Sequence, residues 1–126
     1  MTGTLEHANF TVTDPVATAS WMTRLFGWNI RWQGAAMAGG FTVHIGSKDS
    51  YIALYTPGPD VDTSRPGYQT VGCLNHIGVV VPDLDATEAA VKAEGFETGN
   101  HADYEPGRRF YFHDADGLEY EVVQYG

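Results

Sequence analysis

The feature that most constrains the fold of this chain is a segment that occurs twice. LEHANFTVTD begins at Leu5 and LNHIGVVVPD begins at Leu74, and both read leucine, any residue, histidine, a short run with alternating apolar residues and aspartate. A shift of 69 positions, from 7 to 76, places His7 on His76 and carries the similarity into the residues that follow. An internal repeat of this kind predicts one structural unit built twice.

Each copy predicts the same order of elements. The alternation of polar and apolar residues from His7 and from His76 predicts a half-buried strand. Asp14 and Asp83 then stand at the N-cap position of a helix. Three strands are predicted after each helix, at 28–33, 40–45 and 51–55 in the first copy and at about 96–100, 109–113 and 118–124 in the second.

These elements divide the chain into three parts. Module 1 is predicted at about residues 4–56 and module 2 at about 73–125, each with the order β-α-β-β-β. The segment between them, 57–72, is rich in proline, glycine and polar residues and is predicted to be a linker. The fold class is therefore α+β, and a chain of 126 residues has the size of a single domain.

Charge and composition argue against several classes of function. The formal net charge is -9, which opposes nucleic-acid binding because phosphate recognition requires clustered lysine and arginine. The charge also opposes binding to anionic membranes, and no apolar run is long enough to cross a bilayer. The single cysteine, Cys73, permits no disulfide within the chain, and no signal peptide is visible, so a cytoplasmic location is expected.

Strand parity predicts which side chains of module 1 face a cleft. One face of the sheet must be buried under the helix, so the polar side chains of the first strand point to the opposite face. His44 shares this cleft-facing parity, but a histidine hydrogen-bonded within the sheet is a simpler interpretation of it than a ligand-binding residue. The candidates for substrate binding are Asn9, His44, Tyr51 and Ala53 in module 1 and Arg109 in module 2, and His7 faces the same cleft.

The same parity in module 2 predicts a metal site. His76 and Glu121 face the cleft, and the repeat aligns Glu121 with Ala53. The imidazoles of His7 and His76 and the carboxylate of Glu121 form a ligand set for Fe²⁺, Mn²⁺ or Zn²⁺ that leaves coordination positions open. Each of the three alone is more simply a surface or hydrogen-bonding residue, and only their symmetry-related positions favour a metal.

The sequence resembles the vicinal oxygen chelate superfamily, which includes glyoxalase I, bleomycin resistance proteins, extradiol dioxygenases and fosfomycin resistance proteins. The resemblance covers 5–124 and rests on LEHANFTVTD with LFGW, on LNHIGVVVPD and above all on FYFHDADGLEYEV. It implies two modules that form a cupped mixed sheet with the helices on the outer face, usually completed by dimerisation. It also implies metal ligands at His7, His76 and Glu121.

The residue at position 53 separates groups within the superfamily. Members similar to glyoxalase I generally have a fourth ligand there, and the methyl group of Ala53 cannot bind a metal. The three-ligand pattern is similar to extradiol dioxygenases and fosfomycin-type transferases, which tend to have a tyrosine at the position of Tyr111. A catalytic phenol at Tyr111 and an aromatic residue packed under the cleft are equally good interpretations. A phosphonate substrate requires several cations, for which the cleft strands offer only Arg108 and Arg109.

We therefore expect a metal-dependent enzyme that acts on a small oxygen-bearing substrate, with aromatic compounds as one candidate class. Dioxygenase-like chemistry is preferred because three ligands leave room for substrate and O₂. The alternative is a metal-free binding protein of the bleomycin-resistance type, for which the acidic charge would favour a cationic ligand. Glyoxalase-like, lyase-like and fosfomycin-type activities fit the residues less well. A homodimer is expected in each case.

Overall fold

The computed structural model describes residues 1–64, 67–105 and 107–126, which form two compact units. The units are Met1–Thr63 and Ser64–Gly126, and the division falls inside the segment that the sequence predicts as a linker. Each unit has one α-helix and one four-stranded mixed sheet. The predicted α+β fold class with two β-α-β-β-β modules is confirmed.

Module 1 begins with a strand whose neighbour in the sheet is the last strand of the module. Its elements are β1 (His7–Thr11), α1 (Pro15–Phe26), β2 (Asn29–Ala35), β3 (Phe41–Gly46) and β4 (Tyr51–Thr56), with a short 3₁₀ turn at Met37–Gly39. The strand order is β1-β4-β3-β2, with β1 parallel to β4 and the other pairs antiparallel. Asp14 caps α1 by accepting a hydrogen bond from the backbone N–H of Ala17 at 3.0 Å.

Module 2 repeats this topology. Its elements are β5 (His76–Val80), α2 (Leu84–Ala93), β6 (Thr98–Tyr104), β7 (Gly107–His113) and β8 (Glu119–Tyr125), in the strand order β5-β8-β7-β6. Asp83 caps α2 through the backbone N–H of Ala86, again at 3.0 Å. Since both copies have the same strand order and the same cap, the repeat in the sequence corresponds to a repeat in structure.

Each helix covers one face of its own sheet, and the apolar side chains of that face are buried. Helix α1 packs on β3 and β4, and helix α2 packs on β6, β7 and β8. Burial of such surfaces is the main force that holds each module together. The fully buried side chains include Met22, Val43, Ile45 and Leu54 in module 1 and Val91, Phe110, Tyr120 and Val122 in module 2. The opposite face of each sheet carries the polar residues of β1 and β5.

The structure corrects the bounds of the hairpin β6–β7. The predicted strand 96–100 begins at Thr98 instead and continues to Tyr104, which pairs with Gly107 at the start of β7. The pairing register shifts between Gly99 and Ala102, and Asn100 has a positive φ of 51°. An irregularity of this kind interrupts the alternation of side chains, so the sequence pattern ends before the strand does. No helix in the described part of the chain is long and apolar enough to cross a membrane.

Candidate metal and ligand site

The face of the module 2 sheet that points away from α2 carries a cluster of polar side chains around one histidine. Strand β5 lies parallel to β8, with His76 opposite Glu119 and Gly78 opposite Glu121. Tyr111 of β7 lies opposite Glu121 on the other side. Since residues that alternate along β8 share a face, both glutamates point toward the histidine. We define the His76 cluster as Tyr68, His76, Arg109, Tyr111, Glu119 and Glu121.

His76 lies between two carboxylates. Its Nδ1 atom is 3.3 Å from Oε1 of Glu119, and its Nε2 atom is 3.3 Å from Oε1 of Glu121. The three side chains are 31%, 11% and 16% exposed, in the order His76, Glu119 and Glu121, so water screens their charges only in part. A charge-assisted hydrogen bond between nitrogen and oxygen is shorter, at about 2.7–2.9 Å. The Nε2 and Oε1 atoms therefore face each other without a close hydrogen bond.

The second oxygen of Glu121 is held from the other side of the cluster. Arg109 donates from Nη1 to Oε2 of Glu121 at 2.8 Å, and the hydroxyl of Tyr111 donates to the same oxygen at 3.0 Å. The hydrogen bond with Glu121 raises the pKa of Arg109. Burial, followed by the hydrogen bond to Glu121, raises the pKa of Tyr111, so this phenol stays protonated and acts as a donor. Oxygen Oε1 is thus the atom of Glu121 directed toward His76.

Sequence reasoning missed Tyr68, because it lies in the segment assigned to the linker. Its hydroxyl is 2.9 Å from Nδ1 of His76 and donates a hydrogen bond to Oε1 of Glu119. That hydrogen bond raises the pKa of Tyr68 to about 12. Strand parity gives no information about a residue outside a strand. The one available clue is that Tyr68 is the single aromatic residue in a segment of small, polar and proline residues.

The corresponding face of module 1 is aromatic rather than acidic. The ring of Tyr51 stacks on His7 with a centroid distance of 4.8 Å and on His44 with a centroid distance of 4.9 Å. Trp32 meets the ring of His44 edge to face at 5.3 Å, and the guanidinium of Arg31 lies 4.5 Å above the ring of Tyr51. We call these five residues the module 1 stack. Trp32 is 53% exposed and leaves part of its ring open to a ligand.

The other two candidates of module 1 lie beside this stack. Asn9 is exposed and pairs with Ala53 across β1 and β4, and Ala53 also pairs with His44 across β4 and β3. Ala53 is only 2% exposed. The Nδ1 atom of His7 is 2.9 Å from Oε1 of Glu6, so this histidine also contacts a carboxylate.

The three predicted metal ligands belong to different modules. Among residues 1–64, 67–105 and 107–126, no group of three or more His, Cys, Asp or Glu side chains is arranged to hold a metal ion. The pair within module 2 nevertheless fits one. With metal–ligand bonds of about 2.1 Å, two ligand atoms 3.3 Å apart subtend about 104° at the metal, between octahedral and tetrahedral values. His76 and Glu121 therefore suit adjacent ligand positions of a single divalent ion.

Comparison with a protein family identifies the fold. The model of the Glyoxalase/Bleomycin resistance protein/Dioxygenase superfamily matches residues 4–122. The chain belongs to this superfamily. The match spans both modules, so it includes every residue of the predicted ligand set. No curated protein sequence matches the chain significantly.

Solved structures of the superfamily have the same fold at low sequence identity. A glyoxylase/bleomycin resistance protein/dioxygenase domain from Frankia sp. EAN1pec is 20% identical, with a TM-score of 0.75 and coverage of 100% of this chain and 99% of that chain. The fosfomycin resistance protein FosX from Listeria monocytogenes, complexed with Mn(II) and sulfate, is 20% identical, with a TM-score of 0.73 and coverage of 100% and 95%. TnmS3, an antibiotic binding protein from Streptomyces sp. CB03234, is 17% identical, with a TM-score of 0.75 and coverage of 99% and 98%.

Proposed function

We propose that this protein is a metal-dependent enzyme that acts on a small oxygen-bearing substrate, with a divalent ion bound by His7, His76 and Glu121. The observation that carries the proposal is the pair of potential ligand atoms, Nε2 of His76 and Oε1 of Glu121, 3.3 Å apart on one face of the sheet. Imidazole and carboxylate ligands suit Fe²⁺, Mn²⁺ and Zn²⁺. When bound, such an ion polarises substrate oxygen atoms and stabilises negative charge that develops on them.

Arg109 and Tyr111 orient the carboxylate ligand. Both donate to Oε2 of Glu121, which restricts rotation of the carboxylate and keeps Oε1 directed toward His76. A ligand that is oriented before the ion arrives loses less conformational freedom when the ion binds. We propose that these two donors contact substrate as well, by sharing the hydrogen bonds that they now make with Glu121.

Dioxygenase-like oxidation is the reaction that we propose first. Ala53, which corresponds to Glu121 in the repeat, supplies no fourth ligand, so three ligands leave positions for a substrate and O₂. Similarity to FosX in its complex with Mn(II) and sulfate supports a divalent ion in this fold. The formal charge of -9 still favours a substrate less anionic than a phosphonate.

The module 1 stack favours a second candidate function, metal-free binding of a flat ligand. An exposed indole beside stacked imidazole and phenol rings is a surface on which a planar aromatic compound can stack. TnmS3, which has the same fold, is an antibiotic binding protein. The negative charge of the chain would attract a cationic ligand. For both candidates we propose a homodimer that binds its small molecule in a cleft.

Metal titration of anaerobically purified protein tests the proposal. Elemental analysis and chelator competition with Fe²⁺, Mn²⁺ and Zn²⁺ are expected to give about one ion per chain, the number that one three-ligand site holds. The variants His7→Ala, His76→Gln and Glu121→Gln are expected to lose the ion. His101→Gln is the matched control, because His101 contacts Glu88 on the other side of module 2 and lies outside the cluster.

Failure to bind any of the three ions would exclude the metal-dependent enzyme. Calorimetric titration with a planar cationic dye then tests the second candidate. The control is Trp28→Ala, because the ring of Trp28 packs on Phe26 and lies outside the module 1 stack. Binding that is lost in Trp32→Ala and retained in Trp28→Ala supports stacking on module 1. Absence of heat with the dye, together with a stoichiometric metal, excludes the metal-free binding protein.

A further inference from the structure

The Nδ1 atom of His76 faces oxygen atoms that can only accept a hydrogen bond from it. The hydroxyl oxygen of Tyr68 is 2.9 Å from Nδ1, and its O–H group already donates a hydrogen bond to Oε1 of Glu119. Oε1 of Glu119 is itself 3.3 Å from Nδ1, and an ionised carboxylate has no proton to donate. Nδ1 thus faces two acceptors, one of them at 2.9 Å, whereas Nε2 faces one carboxylate oxygen at 3.3 Å, so the proton of a neutral ring is more stable on Nδ1. The hydrogen bonds therefore run from Nδ1–H to the Tyr68 oxygen, and from the Tyr68 hydroxyl to Glu119.

This relay determines the state of the other ring nitrogen. A neutral imidazole carries one proton, and the hydrogen bond made by one nitrogen sets the tautomer. With the proton on Nδ1, the lone pair of Nε2 points at Oε1 of Glu121, 3.3 Å away. Two acceptors that face each other repel unless a cation lies between them. The arrangement is thus complementary to a positive ion at the position where the proposed metal would bind.

We propose that Glu119, bridged by Tyr68, is a positioning residue that fixes His76 as the Nδ1–H tautomer and directs its Nε2 lone pair toward the ion. The side chain of Glu119 is 11% exposed, so the surrounding water competes little for its charge. It lies two positions before Glu121 on β8, and one strand therefore carries both the carboxylate ligand and the carboxylate that orients the histidine. The consequence for metal binding rests on the proposed function, whereas the tautomer does not.

The histidine of module 1 shows a related arrangement. The Nδ1 atom of His7 contacts Oε1 of Glu6 at 2.9 Å. Glu6 is the residue before β1 and its side chain is 62% exposed, so this orientation is weaker than that of His76. The position of module 1 that corresponds to Glu119 is Tyr51, which stacks on His7 instead. In both modules a carboxylate oxygen lies close to Nδ1 of the histidine, but only in module 2 is that carboxylate buried.

Long-range ¹H–¹⁵N spectra of the metal-free protein measure the tautomer directly. The spectrum distinguishes a ring protonated on Nδ1, on Nε2 or on both nitrogens, and His76→Gln assigns the signals. The wild-type protein is expected to show His76 with a protonated Nδ1. In Glu119→Leu the hydroxyl of Tyr68 becomes free to donate to Nδ1, and His76 is expected to change to the Nε2–H tautomer.

Two matched variants are expected to retain the wild-type tautomer. Tyr68→Phe leaves Oε1 of Glu119 as a direct acceptor 3.3 Å from Nδ1. His113→Gln alters a side chain that lies 3.7 Å from Oε2 of Glu119, on the other side of the carboxylate from His76. Wild-type His76 with a proton on Nε2, or on both nitrogens, overturns the inference without any variant. An unchanged tautomer in folded Glu119→Leu overturns it as well.

Zn²⁺ affinity, measured by chelator competition, tests the consequence for the metal. Loss of a residue that orients a metal-bound histidine typically weakens affinity about 10–100-fold, so Glu119→Leu is expected in this range and His113→Gln within about 2-fold of wild type. A changed tautomer with unchanged Zn²⁺ affinity overturns the positioning role. If the tautomers are as expected but the wild-type protein binds no Zn²⁺, the hydrogen-bond relay is supported and only the proposed metal site is refuted.

Discussion

Replacing Asp114 by alanine is expected to lower the free energy of unfolding by about 3 kcal/mol. Asp114 begins the DADG turn between β7 and β8 and is 8% exposed. Its Oδ1 atom accepts hydrogen bonds from the backbone N–H groups of Asp116 at 2.9 Å and Leu118 at 3.0 Å. Its Oδ2 atom accepts a hydrogen bond from the hydroxyl of Tyr120 at 3.0 Å.

The magnitude follows from what these three donors lose. Tyr120 is 0% exposed, and a buried hydroxyl left without an acceptor costs about 1–3 kcal/mol. The hydrogen bond from the backbone N–H of Asp116 is part-buried and that from Leu118 is buried, and we assign about 1 kcal/mol to the loss of each. Burial of the carboxylate opposes these terms, since burial raises the pKa of Asp114, and its removal returns part of the loss. The net loss of unfolding free energy expected for Asp114→Ala is therefore about 3 kcal/mol.

Asp114→Asn is the matched control, because it keeps an acceptor for the two backbone N–H groups and removes the charge. We expect it to cost about 1 kcal/mol. The pH dependence has a definite sign. Since the pKa of Asp114 is raised in the folded state, the stability linked to its proton is present below the ordinary pKa of 3.8 and lost as pH rises through the raised value. The stability of the wild type relative to Asp114→Asn therefore falls as pH rises through that window.

Urea unfolding followed by tryptophan fluorescence measures these differences. A double-mutant cycle with Tyr120→Phe isolates the buried hydroxyl, and Asp114→Ala is expected to cost about 1 kcal/mol less in that background. An equal cost in both backgrounds would refute the assigned role of the Tyr120 hydrogen bond. A cost below about 0.5 kcal/mol for Asp114→Ala would refute the reasoning about the turn as a whole.

Two further predictions concern the other packed regions of module 2. Gly107→Ala is expected to lower the unfolding free energy by about 1–3 kcal/mol, because a Cβ atom there would lie 2.2 Å from the backbone oxygen of Gln124. A urea midpoint equal to that of the wild type would contradict this close approach. For Glu88, burial opposes ionisation, but hydrogen bonds from Thr98 and His101 outweigh it and lower the pKa of the carboxyl. The wild type is expected to lose stability relative to Glu88→Gln as pH falls below the ordinary pKa of 4.5, and unfolding curves with parallel pH dependence would contradict this.

The repeat made much of the fold predictable from the sequence. Two copies of a histidine-containing strand, each followed by an aspartate cap, predicted two β-α-β-β-β modules, and both capping hydrogen bonds are present. The hairpin β6–β7 was less accessible, because the positive φ of Asn100 and the register shift beside it break the alternation on which strand prediction depends.

The residues of the candidate site could be predicted only where they lie on strands, because the alternation of side chains along a strand shows which face each one is on. Alternation along β7 and β8 placed Tyr111 and Glu121 on one face, and the structure brings them within 3.0 Å. Tyr68 lies in irregular chain before β5, where neither period nor repeat fixes a direction, so its hydrogen bond with Glu119 required the structure. The assignment of His7 to the same site as His76 remains a prediction.

Anomalous X-ray diffraction from crystals grown with Zn²⁺, recorded on both sides of the zinc absorption edge, tests most directly whether His76 and Glu121 bind a divalent ion. We predict an anomalous peak about 2.0–2.2 Å from both Nε2 of His76 and Oε1 of Glu121, with Nε2 of His7 as the third ligand. A Zn²⁺ ion fully occupied at a different position, or crystals without a zinc peak at saturating Zn²⁺, would contradict the metal site.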